Sequence, residues 1–529
     1  MTSLTKRTAT MPGEPDTVAK LLRQQAQRRP GHPLLICDAV RISYTEADGR
    51  SAQLARGLAA LGAGKGTHVG LLYPNGPDFV VAMLAAARIG AVVVPLSTFA
   101  TARELREQLA HADVSILLNT RSFRSHDYVQ RLTEALGGAH FDGEMFTAAA
   151  PILRYVTDID RACRLSETVP VDLLYAMEDD VDRCDVLSIV YTSGSTSAPK
   201  GVVHTHAALI GHQRNLTVIR GLTEHDKLFC NSPFFWIGGL AFALLATLVA
   251  GSTLVCSNSS DAGAVLDLIE AEKPTLTNGF VAGIAYLTAH PSYPERDLSS
   301  LRRGNLYPIM APESRPADPE LRHNMLGMTE AGSVLLISAD ESDQPESRRG
   351  SYGKPAPGFQ TKIVDPDSGR AVPPGATGEL WIRGPYVMQG YYKRSREECF
   401  DADGWFHTGD LVRADDDGFL YFAGRLGGMI KTSGANVSAA EVEKAMADIG
   451  VTAHVLGLPD ATRGQMVAAV VVLRDGADHF DEAALRLRLK TELSAYKIPR
   501  RFIAVPHAKI PLLSSGKVDA RQLKKLFDD

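Results

Sequence analysis

The chain has 529 residues, of which 45% are hydrophobic and 22% are charged, and its formal net charge is −5. A single hydrophobic core stops growing at roughly 250–300 residues, so a chain of this length is expected to form several packed units. The composition is that of a globular protein, which excludes disordered, collagen-like and coiled-coil classes, and the acidic balance disfavours nucleic acid as a partner.

Six cysteines lie far apart and form no Cys-x-x-Cys pair, which argues against a disulfide framework and against a zinc ribbon. Residues 1–15 are polar and lack an apolar core of signal-peptide length, so we expect a disordered tail on a cytoplasmic protein. The most apolar run, residues 237–250, is too short for a transmembrane helix and predicts a buried helix before a strand at 253–256.

Helical and strand patterns alternate along the N-terminal part of the chain. Wholly apolar strands in strand–helix–strand units indicate parallel sheets that are covered by helices on both faces. The predicted elements are a helix at 18–28, strands at 33–37 and 41–43, a helix at 44–61, a strand at 68–72, a helix at 77–89, a strand at 91–95, a helix at 101–111 and a strand at 114–119.

The pattern changes in the last third of the chain. Gly and Pro become frequent between residues 353 and 384, where strand-like runs at 360–364 and 378–383 indicate a smaller β-rich unit. Near the C-terminus, a buried strand at 467–473 and an amphipathic helix at 480–493 indicate a compact α/β module.

These patterns predict an α/β fold with two domains. The large N-terminal domain, residues 16–425, is expected to contain stacked, mostly parallel sheets with helices, and a β-rich subdomain at about 350–425. The small C-terminal domain is expected over 426–529, and Ser438 and Glu441 form a capping-box pattern that opens one of its helices.

The segment 191–201, YTSGSTSAPKG, follows an apolar strand and carries the most specific local pattern. Small residues leave backbone N–H groups free to wrap a phosphate, hydroxyls add donors, and a lysine adds a cation, although the Walker pattern is absent. A solvated Ser/Thr-rich turn is the alternative. The candidate nucleotide-binding residues of this segment are Thr192, Ser193, Gly194, Ser195, Thr196 and Lys200.

This segment resembles the phosphate loop of the adenylate-forming (AMP-binding) superfamily, which includes acyl-CoA synthetases, firefly luciferase and the adenylation domains of peptide synthetases. Ser197 replaces the last glycine of the usual loop. Further blocks resemble the family's motifs in the family's order. They are LGMTE at 326–330, GELWIRG at 378–384, GWFHTGD at 404–410, YFAGR at 421–425, KTSG at 431–434 with the segment 437–443, and PLLSSGKVD at 511–519.

The resemblance implies a reaction in two steps that uses ATP, Mg²⁺ and CoA. A carboxylate attacks the α-phosphate of ATP to give an acyl-AMP, and a thiol then displaces AMP. By the same resemblance Lys517 stabilises charge in the first step. The small domain then rotates about a hinge at Gly427 and brings Lys431 to the nucleotide, with Gly434 beside the pantetheine channel.

Four further residues acquire roles from the resemblance. Thr329 should reach the α-phosphate or the acyl carboxylate, and Glu330 should contact the metal ion. Asp410 should bind the ribose hydroxyls, and Arg425 the ribose or phosphate side. An interdomain salt bridge is the alternative for Arg425, and a solvated surface charge is the alternative for both Lys431 and Lys517.

The adenine pocket departs from the family pattern. Leu326 occupies the position of an aromatic residue that stacks on adenine, and a GGAP-like segment is missing upstream, where residues 305–312 lie instead. Tyr307 is a candidate for the missing aromatic surface. These departures leave open how adenine is held.

The substrate pocket is expected around Trp236, which the resemblance places at the gate of the acyl site, together with Gly238 and Gly239. The surrounding run is apolar, and no aspartate that would bind an amino group lies in 231–239. These features predict a medium- or long-chain fatty acid as the substrate, and an alicyclic, aromatic or sterol-derived acid is the alternative. Ordinary core packing is the alternative for Trp236.

We therefore predict an AMP-forming acyl-CoA synthetase whose partners are a small carboxylic acid, ATP and CoA. An acyl-AMP ligase that delivers to a carrier protein, and a non-catalytic nucleotide-binding relative, are the alternatives. A homodimer is compatible with the resemblance.

Overall fold

The computed structural model describes residues 16–192, 200–426, 429–433, 435–460, 463–473, 480–511 and 518–528. The tail predicted at 1–15 and the hinge Gly427 lie outside these ranges. The first part of the described chain contains α1 (Val18–Arg28), β1 (Pro33–Cys37), β2 (Val40–Ser43), α2 (Tyr44–Ala60), β3 (His68–Leu72), α3 (Pro77–Arg88), β4 (Val92–Pro95), α4 (Ala102–His111), β5 (Ile116–Asn119), β6 (Ser122–Phe123), β7 (His126–Asp127), α5 (Tyr128–Ala135), β8 (Tyr155–Thr157), α6 (Ile159–Arg164), α7 (Val171–Asp180), β9 (Val186–Thr192), β10 (Lys200–Thr205) and α8 (His206–Arg220).

The second part carries the remaining elements. They are β11 (Lys227–Cys230), α9 (Ile237–Gly239), α10 (Ala246–Ala250), β12 (Thr253–Cys256), α11 (Ala262–Glu272), β13 (Leu276–Asn278), α12 (Ala285–Thr288), β14 (Arg303–Gly304), β15 (Leu326–Met328), β16 (Ser333–Ile337), β17 (Lys354–Pro355), β18 (Gln360–Val364), β19 (Thr377–Arg383), β20 (Gly390–Tyr391), β21 (Phe406–Ala414), β22 (Leu420–Arg425), β23 (Met429–Thr432), β24 (Ala435–Ser438), α13 (Ala439–Asp448), β25 (Ala453–Asp460), β26 (Gly464–Leu473), α14 (Glu482–Glu492), β27 (Arg501–Pro506) and α15 (Ala520–Lys525).

Two mostly parallel sheets form the centre of the large part. One has the strand order β20-β10-β9-β4-β3-β5-β8 and the other β14-β13-β11-β12-β1-β2. Helices α2, α3 and α10 and both sheets contribute to one buried core, represented by Leu34, Leu54, Val69, Val81 and Leu254. The predicted α/β fold with parallel sheets is confirmed, and the element boundaries predicted up to residue 119 agree to within two residues.

Two small antiparallel sheets follow, with the orders β15-β16-β17 and β18-β19-β21-β22. The C-terminal part has its own sheet, in which β24, β23, β26 and β25 are neighbours and β27 pairs with β26. The predicted β-rich unit and C-terminal α/β module therefore both exist, whereas the exact domain bounds stay a prediction.

Two local predictions differ from the structure. The apolar helix at 237–250 contains a π-helical segment, Leu240–Leu245, between α9 and α10. The capping box of α13 is only half formed, because Ser438 accepts from the Glu441 N–H while the Glu441 carboxylate binds Lys497 instead. Among the helices of the described chain, none has the length and apolar content that crossing a membrane requires.

Candidate active site

A cavity of about 750 Å³ lies between the large part and the C-terminal part. The large part contributes the end of β9, the segment around Trp236, the end of β13, and strands β15, β21 and β22. The C-terminal part contributes Lys431, Tyr496 and Lys497. The cavity thus brings together residues from four of the matched blocks, 326–330, 404–410, 421–425 and 431–434.

Asp410 and Arg425 are opposite each other in the antiparallel register of β21 and β22. Arg425 Nε lies 3.4 Å from Asp410 Oδ1. Glu379, in the predicted block 378–384, accepts the Gly409 N–H at 2.8 Å and so fixes the backbone beside Asp410. Residues from two other matched blocks, 378–384 and 421–425, therefore hold Asp410 in position at the cavity.

Charge around this carboxylate is finely balanced. Burial raises the pKa of Asp410 to about 6; the positive charge of Arg425 lowers this pKa by stabilising the carboxylate, and the negative charge of Glu330 raises it. Lys431 lines the cavity, and desolvation by the surrounding protein lowers the pKa of its ammonium group against the opposing effect of Asp410. The predicted residues Asp410, Arg425 and Lys431 form one electrostatic group.

Thr329 and Glu330 lie in a short turn directly after β15. The backbone carbonyl of Thr329 accepts a hydrogen bond from His204 Nε2 at 2.7 Å. Burial lowers the pKa of His204 to about 4, so the ring is neutral at pH 7 and Nε2 carries the donated hydrogen. This buried histidine fixes the position of the turn.

The Glu330 carboxylate is held by a tyrosine that the sequence reasoning missed. Tyr391 donates its hydroxyl hydrogen to Glu330 Oε1 at 2.7 Å, and both side chains are buried. Lys200 Nζ lies 5.1 Å from the centre of the Tyr391 ring. Burial, reinforced by repulsion from Arg394, lowers the pKa of Lys200. Glu330 and Lys200 therefore adjoin the same aromatic ring.

Other parts of the predicted phosphate site are only partly described. Thr192 lines the cavity at the end of β9. Ser193, Gly194, Ser195 and Thr196 lie outside the described residues, as do Gly434 and Lys517. Their predicted roles stay predictions.

An aromatic cluster forms another part of the cavity lining. The Trp236 ring contacts Phe99, Phe235 and Phe280, with ring centres 6.1, 5.6 and 5.7 Å away. It also contacts Tyr496 of the C-terminal part at 6.4 Å. Trp236 lines the cavity as predicted, and edge-to-face contacts hold it in place.

The two glycines predicted beside Trp236 have different positions. Gly238 lines the cavity. Gly239 is buried in helix packing, since a Cβ there would lie 2.1 Å from the Pro233 carbonyl oxygen. The prediction of Gly239 as a pocket residue is therefore wrong, because the close approach of two backbone segments explains this glycine.

The strand that carries Arg425 brings an aromatic residue to the cavity, but not the predicted one. Leu326 lines the cavity, and so does Phe422 on β22, which is 37% exposed. Tyr307 packs against a separate core that contains Ile309 and is not among the described residues that line the cavity. The suggestion that Tyr307 replaces the missing aromatic is wrong. Phe422 lies within the matched block 421–425, so its place in that block was the available signal.

Two family models match the chain. The model described as AMP-binding enzyme matches residues 22–392, and the model described as AMP-binding enzyme C-terminal domain matches residues 442–517. The chain belongs to the AMP-binding enzyme family. This AMP-binding enzyme is an ATP-dependent, AMP-forming ligase of acids with CoA, so the predicted enzyme class is confirmed.

Similar proteins support the same assignment. The AMP-binding enzyme is 33% identical over 498 residues to a feruloyl-CoA synthase of an Amycolatopsis species, which covers 92% of this chain and 94% of the relative. It is 31% identical over 516 residues to an indoleacetate–CoA ligase of Aromatoleum aromaticum, which covers 96% and 98%. A solved structure of a double mutant of o-succinylbenzoate CoA synthetase from Bacillus subtilis, bound with the product analogue OSB-NCoA, has a TM-score of 0.75 and 26% identity and covers 96% and 98%.

Proposed function

We propose that this AMP-binding enzyme activates a hydrophobic, ring-bearing carboxylic acid and transfers its acyl group to CoA. The observation that carries the proposal is one cavity that is lined both by the aromatic cluster of Trp236, Phe235 and Phe280 and by Asp410 and Lys431. In this proposal the acid binds at the aromatic cluster, the aromatic end, and presents its carboxylate toward ATP bound at Asp410, the nucleotide end.

The aromatic end favours a ring over a flexible chain. Ring faces and edges attract one another in offset or edge-to-face arrangements, and a planar acid continues the arrangement already present around Trp236. Ser232 and Asn278 also line this end and offer hydrogen-bonding groups to a substituted ring. The feruloyl, indoleacetate and o-succinylbenzoate relatives are all named for ring-bearing acids.

A medium- or long-chain fatty acid is the second candidate. Ile237 and Phe242 line the cavity beside Gly238 and offer apolar surface without charge. These residues accept a methylene chain as readily as the rim of a ring. The two candidates differ in whether affinity rises with chain length or with ring size.

The nucleotide end supplies the contacts for ATP. Asp410 accepts hydrogen bonds from the ribose hydroxyls, and Arg425 stabilises the charged side of the nucleotide. The Phe422 ring and the Leu326 side chain pack on the adenine faces. Thr329 adjoins the α-phosphate, where the substrate carboxylate attacks and pyrophosphate leaves.

A magnesium ion fits these residues when it enters with ATP. Nucleotide-bound Mg²⁺ is usually held by one or two carboxylates together with substrate phosphates, and Glu330 provides such a carboxylate. Within the described ranges, no group of three or more His, Cys, Asp or Glu side chains could hold a metal ion. The bound ion would neutralise phosphate charge, while Tyr391 orients the Glu330 carboxylate that holds it.

The second step uses the arrangement of the C-terminal part described here. Lys431 lines the cavity close to Asp410, as expected for the conformation in which the thiol attacks the acyl carbonyl and AMP leaves. CoA is the acceptor in this proposal. Delivery to a carrier protein would instead give acyl transfer to a protein-bound pantetheine.

The test is a panel of acids assayed for AMP release with and without CoA. The panel pairs ring-bearing acids, such as substituted cinnamic and indoleacetic acids, with straight-chain acids of matched carbon number. We expect CoA-dependent AMP release and a thioester, identified by mass spectrometry, with kcat/KM at least tenfold higher for ring-bearing acids. If kcat/KM rises steadily with chain length, the substrate is a fatty acid. AMP release without a CoA thioester would contradict the proposal that CoA is the acceptor.

A further inference from the structure

A buried ion pair joins the two parts of the molecule, and both of its residues line the cavity. Glu104 on α4 accepts from Lys497 Nζ at 2.7 Å through Oε1, and from the Ser494 hydroxyl at 2.5 Å through Oε2. Glu104, Ser494 and Lys497 are 8%, 3% and 8% exposed. Ion pairs this deeply buried are unusual between parts of a protein that are expected to move apart.

Lys497 also connects this contact to α13, the helix that follows β23 and β24; Lys431 lies on β23. Its ammonium group lies 2.7 Å from Glu441 Oε1 on α13, as well as from Glu104. Glu441 gives up the capping box of α13 for this contact, and its Oε2 is buried without a partner. One ammonium group therefore contacts a carboxylate from each part of the molecule.

Both partners of the cross-domain pair are held in their charged forms. Burial alone would raise the pKa of Glu104, but Lys497 and the hydroxyl of Ser494 lower it below its ordinary value. Burial alone would lower the pKa of Lys497, but Tyr496, Glu104 and Glu441 together raise it well above its ordinary value. A buried carboxylate without its cation is strongly disfavoured, so the docked arrangement depends on Lys497.

The pair is adjacent to the acyl end of the cavity. Tyr496 precedes Lys497 and contacts both Trp236 and Phe99, with ring centres 6.4 and 6.1 Å away. Docking at Glu104 thus places Tyr496 against the predicted gate. The same docking holds the C-terminal part so that Lys431 lines the cavity.

We infer that Glu104, Ser494 and Lys497 form a docking lock that positions the C-terminal part for the CoA step. The lock residues are positioning residues, because they act through the placement of Lys431 and Tyr496 rather than on the reacting atoms. This inference rests on the proposed two-step function. When the C-terminal part leaves this arrangement for the first step, the contact with Glu104 opens and both groups regain water.

The test separates the two half-reactions in the full-length Lys497→Met variant. We expect acyl-AMP formation from acid and ATP to stay within twofold of wild type. Thioester formation from premade acyl-AMP at saturating CoA should fall at least tenfold in kcat, and Lys497→Arg should recover part of it. Lys524→Met is the matched control, because Lys524 is exposed on α15 of the same part of the molecule and should change neither step.

A second variant tests the lock from the other side. Glu104→Gln should also lower kcat for thioester formation. In the Glu104→Gln/Lys497→Met double variant, kcat should fall by less than the product of the two single-variant factors, because both single changes break the same contact. Equal loss in both half-reactions, or independent effects in the double variant, would overturn the lock.

Hydrogen exchange gives a readout that does not require turnover. Lys497→Met should speed amide exchange in α4 and in residues 493–500, while Lys524→Met should not. If wild type forms no acyl-AMP with any acid, the proposed function fails, and the exchange comparison still decides the lock. Unchanged exchange in both segments would contradict it.

Discussion

Replacing Asp410 by asparagine is predicted to stabilise the free enzyme and to weaken its use of ATP. The Asp410 side chain is 3% exposed, and its pKa is raised from 3.8 to about 6, mainly by burial. A raised carboxyl pKa means that the folded state binds a proton more tightly than the unfolded chain. Stability is therefore lost as pH rises from about 4 to about 6, and the whole cost, about 3 kcal/mol, is present above pH 7.

The raised pKa already includes the attraction between the carboxylate and Arg425, whose Nε lies 3.4 Å away, so replacement by a neutral amide removes the net cost. The gain in unfolding free energy at pH 8 is therefore expected to be up to about 3 kcal/mol, and smaller at pH 5. For ATP binding the substitution is unfavourable, because hydrogen bonds to a charged acceptor contribute about 1.5–3 kcal/mol each and the variant loses that charge. KM for ATP should rise by about 10–100-fold.

The assay compares melting temperatures of wild type and variant at pH 5 and pH 8, without and with ATP, together with KM for ATP. Asp416→Asn is the matched control, since Asp416 is exposed in the turn between β21 and β22. A variant that melts below wild type at pH 8, or that keeps the wild-type KM for ATP, would refute the reasoning. In wild type, KM for ATP should also rise as pH falls below about 6, where Asp410 takes up a proton.

Three further substitutions test individual roles. Lys517→Ala should lower acid-dependent pyrophosphate release by about 10²–10³, while premade acyl-AMP and CoA still give thioester; equal loss in both steps would contradict the division of labour. Gly427→Pro should leave adenylation nearly intact and make acyl-AMP accumulate, because proline fixes φ near about −65° and hinders rotation; unchanged thioester output would show that Gly427 is not the pivot. Trp236→Ala should favour bulkier acids over shorter ones, by well over the roughly 1–3 kcal/mol of a methylene-sized change, with little effect on KM for ATP; a uniform fall across acids would make Trp236 a core residue.

Local patterns were sufficient to predict most of the fold. Apolar strands such as β3 and β4, with the helix α3 between them in sequence, predict a parallel pair from local sequence alone. The π-helical segment Leu240–Leu245 could not be predicted in this way, since its residues are apolar on every face and carry no periodic signal.

In the candidate site, the residues that could be predicted are those that lie within a short sequence motif. Asp410, Arg425 and Glu330 belong to ordered blocks, and the structure brings their blocks to one cavity or its edge. Gly239 was misassigned because sequence cannot distinguish a glycine that opens a pocket from one that admits a neighbouring backbone.

Groups that act through distant partners carried no local signal. Tyr391 is separated from Glu330 by 61 positions, and Lys497 from Glu104 by 393. Such contacts depend on the tertiary arrangement, because neither partner's neighbours in sequence reveal the other. The cytoplasmic location and the homodimer stay predictions.

The most direct test follows oxygen from the acid to the nucleotide. A ring-bearing acid labelled with ¹⁸O in both carboxylate oxygens is incubated with the enzyme, ATP and CoA, and the products are analysed by mass spectrometry. If the carboxylate attacks the α-phosphate and the thiol then displaces AMP, one ¹⁸O appears in AMP, the other stays in the thioester carbonyl, and pyrophosphate is unlabelled. Thioester formed with unlabelled AMP, or with ¹⁸O in inorganic phosphate or pyrophosphate, would contradict an acyl-adenylate intermediate.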